Sequence, residues 1–434
     1  MKKIFPAFIL LLCIAGCKTK KNLSPGHHLE PIEGQYIVFM KETFDTALIK
    51  NRKNDPNRKK QKADNDNERK RKEKKLKDYL NAAHIGPNKQ KKIFVDISIA
   101  AIVELDSAEA RALKQNAAVQ DVIQDITIQI NPIQQSDPSL SINPIQQWKS
   151  DVITEINPIQ QNDSIKNRYD IDPITNTSKA ILTAGGSVPG TGKPTVIWFL
   201  DTGIDTDNPN LTVDASLGAY FIGSNTDDDN GHGTFCAGAA AGTAIGIAGS
   251  PLIHIGVSEG ATVVPVKVLD RDGKGTWGTV IAGLNYVAQL SHPGDIVNLS
   301  LGAYDPGNTN CYFPGIINAI ERITTGNVFV TLSAGNDAGN AECNRPGCIN
   351  GTNIFTASSI NADSTCALYA NFGSPVDFVT VGTRVFSLWQ NGGFRMASGT
   401  SFSSAIMAGI IHARNNEPDD GGASRCGTYK IARW

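Results

Sequence analysis

The chain has 434 residues, 40% hydrophobic and 19% charged, enough to bury a full-sized core and to divide into more than one folding unit. A formal net charge of −1 excludes a strongly basic or acidic protein, but it hides an asymmetry. Residues 50–77 hold 14 Lys/Arg against 5 Asp/Glu, a run that reads as a solvated helix or disordered insertion rather than a contact for nucleic acid or anionic lipid.

In chain order, "MKKIFPAFILLLCIAGC" (1–17) has two lysines and then an apolar run too short to span a bilayer, which predicts an export signal. Its end, Ile14 to Cys17, resembles a bacterial lipoprotein signal and implies a lipid on Cys17. "GQYIVFMK" (34–41) and "KKIFVDISIAAIVEL" (91–105) predict strands, "DSAEARALKQNAA" (106–118) a capped helix and "VQDVIQDITIQI" (119–130) another strand. Together they make a small α+β unit over 34–130, interrupted by the basic run. "INPIQQ" then occurs at 130–135, 142–147 and 156–161. The Asn-Pro step disfavours helix, so 131–189 is expected to be an extended linker.

From residue 190 the character changes. "TVIWFL", "ATVVPVKVL", "DIVNLSLG" and "NVFVTLSAGN" each read as a strand buried on both faces, with helices such as "TVIAGLNYVAQL" between them. That predicts an α/β domain over 190–434, a mostly parallel sheet with helices on both faces in three layers. Ligand sites in such sheets form at the carboxyl ends of the strands.

Asp201 ends the first of these strands, a costly place for a carboxylate without a partner. Its "DTG" is not repeated, so an aspartic-protease dyad is set aside. His232 sits between Gly231 and Gly233, followed by small residues that suit a close-packed helix; an imidazole can take a hydroxyl proton and return it. Asn336 also ends a strand, where its amide can donate to a developing oxyanion. "ASGTSFSSAIMAG" offers four serines. Ser401 is the candidate nucleophile, at the amino end of a helix where unpaired amides favour negative charge. Ser398 precedes the turn, Ser403 is expected off the face, and Ser404 is expected beneath Ser401 in a structural role.

Read in order, "LDTGI", "GHGTFCAG", "NLSLG", "SAGN" and "SGTSFSSAIMAG" resemble the motifs of the subtilisin-like serine proteases over roughly 190–412. The resemblance implies Ser401 as nucleophile, His232 as general base and then acid, and Asp201 as the group that orients the imidazole. It also implies Asn336 with the Ser401 amide as oxyanion hole. Ser300, Leu301, Gly302, Ser333 and Gly335 would line the primary specificity pocket, and the segment at Gly273 and Gly275 would pair with an extended substrate. Ala405 stands where the family usually has proline, and the chain ends at Trp434, early for the family, leaving C-terminal packing open. Cys236, four residues after His232, resembles the proteinase K-like branch, where that cysteine is unpaired; a Cys–His nucleophile is the lesser alternative.

The unit at 34–130 resembles a subtilisin propeptide, whose tail lies in the active site until cut. "INPIQQ" would then offer successive processing segments. The implied protein is an exported, lipid-anchored zymogen of a serine endopeptidase, with polypeptide substrates, its own propeptide as inhibitor, a membrane contact through Cys17 until maturation, no nucleic-acid partner and a monomeric state. The competing class is a non-catalytic surface-anchored binding protein that keeps the fold. No cofactor or zinc site is indicated, as the chain lacks CxxC and HExxH. "TDDDN" (226–230) is acidic enough for calcium, but its spacing matches no established loop and predicts a solvated turn. Disulfides are expected among Cys311, Cys343, Cys348 and Cys366, with the pairing open.

Overall fold

The computed structural model describes residues 30–40, 70, 72–94, 100–130, 170–246, 251–306, 308–311 and 313–434. The expected leader with Cys17, most of the basic insertion and the INPIQQ repeats beyond Ile130 lie outside the described residues. Among the described residues, no helix is long and apolar enough to cross a membrane.

The amino-terminal unit comprises β1 (Glu30–Met40), a helix over residues 72–82 (α1), β2 (Gln90–Phe94), β3 (Ala100–Glu104), α2 (Ser107–Lys114) and β4 (Val119–Ile130). Its strands run antiparallel in the order β2-β3-β1-β4. The stretch 91–105, expected as one strand, is two strands folded back on each other, with Phe94 opposite Ala100. A single strand of that length would reach about 50 Å, well beyond the usual size, and folding back lets both halves pair. Helix α2 begins at a capping box: the Asp106 carboxylate accepts from the amides of Ala108 and Glu109, and the Glu109 side chain accepts from the Asp106 amide. Helix α1, which ends the basic run, turns Leu76 and Leu80 inward.

The larger unit contains β5 (Ile197–Asp201), α3 (His232–Ala241), β6 (Thr262–Lys267), β7 (Lys274–Thr276), α4 (Trp277–Leu290), β8 (Ile296–Leu299) and β9 (Leu301–Tyr304). It continues with α5 (Pro314–Thr324), β10 (Phe329–Ser333), β11 (Asn344–Arg345), β12 (Ile354–Ile360), β13 (Phe378–Val381), α6 (Thr400–Arg414) and β14 (Lys430–Arg433). Strands β6-β5-β8-β10-β12-β13-β14 lie side by side and parallel, so the expected α/β sheet is present. Alternation along β5 serves both faces: Trp198 and Leu200 join the core with α4 and α5, Ile197 and Phe199 the core with α3 and α6. The chain passes from β5 to β6 on one side and then back across to β8 on the other. This reversal makes the carboxyl end of β5 a switch point of the sheet, where a crevice opens.

Of the expected linker, residues 170–189 fold onto the larger unit. Ile181 is buried, Val188–Pro189 pairs with Ser258–Glu259, and Asp170 binds Arg384. The apolar Ile181 and the paired backbone give this stretch the contacts that composition alone did not reveal. Disulfides join Cys311 to Cys348 and Cys366 to Cys426, and the buried Cys236 and Cys343 take part in neither. Cys426 was not among the expected partners. Its partner is brought near by the pairing of β14 with β13, a tertiary contact that sequence spacing does not carry.

The two units share a sheet. At the tail of β4, Thr127 to Gln129 pair antiparallel with β7, while Gln129 and Ile130 pair antiparallel with β9. The same alternation that puts Val38, Ala101 and Val103 in the small unit's own core turns Ile37, Phe39, Ala100 and Ile102 onto α4 and α5. Contact is close: a Cβ at Gly278 would collide with Ile102, and one at Gly315 would lie 2.5 Å from Phe39 Cζ. Asp125, fully buried, accepts from the Gly278 amide in the first turn of α4 (3.1 Å) and from Gln35 Nε2 (2.8 Å), placing an acceptor at the positive end of that helix.

Burial pushes the Asp125 carboxyl up, against the hydrogen bonds that favour its charge. A carboxyl raised in the folded state adds stability that is full below its unfolded value near 4 and is lost as pH rises through the folded value. Asp125→Asn keeps an acceptor for Gly278 and is expected to flatten this pH dependence without loss at pH 7. Asp125→Ala leaves the amide unpaired and is expected to cost about 1–3 kcal/mol. Thermal unfolding of the full chain between pH 4 and 7 checks both.

Candidate active site

Five elements bring the expected residues to one rim. Asp201 closes β5, Ser300 follows β8, Ser333 closes β10 with Asn336 just beyond, and His232 and Ser401 begin α3 and α6. The two helices cross closely because their contact residues are small; a Cβ at Gly409 would lie 2.6 Å from the Ala240 carbonyl. Gly231 caps α3 with φ 110°, a left-handed conformation that favours glycine, and any Cβ there would strike Trp389. A Cβ at Gly233 would strike the Gly203 carbonyl just past β5. The start of α3 can therefore seat directly on the strand that ends in Asp201.

His232 Nδ1 bonds Asp201 Oδ1 at 2.8 Å, with both side chains excluded from water. The same oxygen accepts from the Thr202 amide at 2.7 Å. Burial of the ring works against its cation, yet the Asp201 carboxylate beside it holds the imidazole well above its ordinary value. Among the described residues, His232 Nε2 has no hydrogen-bond partner. Ser401, second residue of α6, donates from Oγ to the Ser300 carbonyl at 3.2 Å and not to His232. The ring of Phe402, the next residue, lies 5.8 Å from the imidazole.

Asn336 is held through its oxygen, which accepts from both the amide and the hydroxyl of Thr400 at 2.9 Å. Its Nδ2 thereby faces the start of α6, 3.3 Å from where a Cβ on Gly399 would sit. Thr400 was not singled out in the sequence, since its role appears only when β10 and α6 meet. The other serines are engaged. Ser398 Oγ accepts from the Arg384 amide, and Ser404 Oγ from Asn298 Nδ2 at 2.8 Å. Ser403, expected off the face, is buried and donates to the Thr380 carbonyl, because α6 is enclosed on all sides through His412.

Leu301 and Gly302 lie in β9 against the tail of β4, and Ser300 donates to the Ser401 carbonyl at 2.7 Å. Gly275 pairs with Ile128, and the Gly273 carbonyl accepts from the Ile130 amide at 2.9 Å. Among the described residues, Asp201, His232 and Cys236 could bring three metal-ligating atoms within 4.8 Å of one another, but the imidazole Nδ1 is already engaged by the carboxylate. The Cys236 thiol, 3.9 Å from Nδ1, is pushed up by burial and so kept protonated, which disfavours it as a nucleophile. In the "TDDDN" stretch, Asp228 accepts from Thr202, Gly231 and Thr234, and Asp229 pairs with Lys267.

A buried carboxylate–imidazole pair and a helix-start serine gathered at the rim of a parallel sheet are an arrangement of the kind serine hydrolases use. Residues 192–417 match the model of the subtilase family, and the chain belongs to that family. It is 34% identical to Subtilisin-like protease 1 of Pseudogymnoascus destructans over 50% of this chain and 51% of that protein. It is 34% identical to Proteinase T of Parengyodontium album over 51% of this chain and 70% of that one. The Cuticle-degrading protease of Metarhizium anisopliae is 31% identical over 50% and 53% of the two chains. The chain thus spans about half the length of several curated relatives it matches. A solved cold adapted subtilisin-like serine proteinase is 26% identical, over 52% of this chain and 76% of its own, with a TM-score of 0.44.

A base must be neutral to accept a proton, so reactivity of the site toward a serine-directed phosphonate is expected to rise with pH through a value above 6.5, the ordinary imidazole range. In Asp201→Asn the charge that favours the imidazolium is gone and burial remains. The rise should then move to lower pH, while the plateau falls by about 10⁴-fold as the ring loses its orienting partner. Labelling rates against pH for both forms check the sign.

Proposed function

We propose that this chain is the zymogen of a serine endopeptidase that hydrolyses peptide bonds through an acyl-enzyme on Ser401. The observation that carries the reading is the buried Asp201–His232 bond of 2.8 Å beside the serine that opens α6. His232 acts from its unpartnered Nε2, taking the Ser401 proton as the hydroxyl attacks and giving it to the leaving amine. That step needs Ser401 Oγ to turn from the Ser300 carbonyl toward the ring. Asp201 fixes the tautomer and stabilises the imidazolium. Asn336 Nδ2 and the Ser401 amide donate to the oxyanion. Ser300, Leu301, Gly302, Ser333 and Gly335 form the pocket, and backbone pairing at Gly273 and Gly275 holds an extended substrate.

In this reading, residues 34–130 are the propeptide and inhibitor, and 190–434 the catalytic domain, with the docked stretch 170–189 leading into it. Support comes from the tail of β4, laid between β7 and β9 as a substrate strand would lie. Residues 1–17 direct export, a lipid on Cys17 holds the precursor at the membrane, and the INPIQQ repeats offer processing segments. Because the lipid lies on the propeptide side, maturation detaches the catalytic domain.

A fluorophosphonate probe tests the catalytic reading: processed protein is expected to be labelled and Ser401→Ala not, and no labelling after propeptide removal would support a binding protein instead. Sequencing the mature amino terminus is expected to place it between residues 128 and 190. Processed enzyme that stays in the membrane fraction would refute release from the lipid.

A further inference from the structure

Asn344 occupies a place no motif marks. It opens β11, which pairs with β9 so that Asn344 lies opposite Tyr304 and Arg345 opposite Ala303. Its side chain is fully buried and lies between two glycines of the proposed specificity pocket: a Cβ at Gly302 would sit 3.3 Å from Asn344 Oδ1, and one at Gly335 3.1 Å from it. Asn344 Nδ2 donates to the Ser333 carbonyl at 3.1 Å. Since a carbonyl only accepts, this bond settles which end of the amide is which. Oδ1 is then the atom facing the two glycines, and among the described residues it has no hydrogen-bond partner.

A buried acceptor without a donor costs about 1–3 kcal/mol, and folded proteins keep few of them. This one sits where a substrate side chain would enter. Gln129 lies opposite Gly302 and Ile130 opposite Leu301. The next residue of a peptide bound in that register falls at Ser300, whose carbonyl accepts from Ser401 Oγ. Its side chain is therefore the one that precedes the bond under attack, and Asn344 Oδ1 lies beside Gly302 and Gly335, the two glycines of the proposed pocket.

Resting on the endopeptidase reading above, we propose that Asn344 determines specificity by accepting a hydrogen bond from the side-chain amide of an asparagine or glutamine immediately before the scissile bond. An apolar side chain would strand Oδ1. A lysine or arginine would lose its hydration to a neutral acceptor that does not offset the cost of burying a charge. The chain's own sequence agrees: the residue after Ile130 is Asn131, and the other two repeats put Asn143 after Ile142 and Asn157 after Ile156.

The test uses processed enzyme whose active sites have first been counted with a fluorophosphonate, so that absence of labelling defeats the catalytic reading and leaves the specificity claim to be judged only on active enzyme. Quenched peptides Ile-Gln-Ile-X-Ala are compared with X as Asn, Gln, Leu, Phe or Lys; alanine follows X because a proline ring would alter the leaving nitrogen. kcat/KM per labelled site is expected to be at least about tenfold higher for Asn than for the similarly sized Leu. In Asn344→Leu that order reverses. If this variant does not fold, Asn344→Asp supplies the second measurement, with the Lys peptide expected to gain at least about tenfold relative to Asn. Leu or Phe preferred over Asn by the unmodified enzyme, or variants that change every peptide by one common factor, overturns the assignment.

Discussion

The structure is organised around one contact, the 2.8 Å bond between a carboxylate and an imidazole that are both sealed from water. Neither group is cheap to bury alone. Asp201 is held by being the last residue of the first parallel strand, flanked by β6 and β8. His232 is held by starting a helix whose residues are all buried and mostly small. Gly231 and Gly233 let the helix approach to within bonding range, and Asp228 ties the turn before it to Thr202 and Thr234. Rigidity here comes from packing and from carboxylates bonded to backbone amides, which also keep the ring in one orientation.

The second constraint is the pair of edges on either side of the crevice. Without β4, β7 and one side of β9 would present unpaired backbone, and such edges attract an extended chain. In this molecule the tail of β4 fills both at once, making one sheet of strands from the two units. The small unit contributes more than its tail: one face of its sheet closes its own core and the other covers α4 and α5. Asp125 adds a polar bond at the start of α4. The backbone hydrogen bonds of the tail of β4 with β7 and β9 are thus what join the two units along this edge.

Much of this could be read from the chain before any coordinates. The continuous apolar run from Val196 to Leu200 needs a sheet covered on both faces, because each alternating face is apolar. The capping box at Asp106 and the small residues after His232 are likewise local signals whose physics acts within a few residues. Polar residues at strand ends, Asp201 and Asn336 among them, stand out because they interrupt such runs. These features pointed to the fold class and to Asp201 and Asn336 as candidates; the pocket residues and the roles came from the resemblance of the motifs to the subtilisin-like proteases.

Other properties belonged to contacts between segments far apart in the chain. Residues 91–105 are apolar enough for one strand, and only their pairing as two shows where the chain reverses. The partner of Cys366 follows from β14 settling beside β13, the orientation of Asn336 from Thr400, and the place of Asn344 from β11 pairing with β9. Sequence by itself determined which elements could form and which side chains were chemically apt, since propensity, periodicity and capping are short-range. Tertiary structure alone decided which of those side chains meet, and which buried atoms find a partner or are left without one, because that depends on how whole elements pack in space.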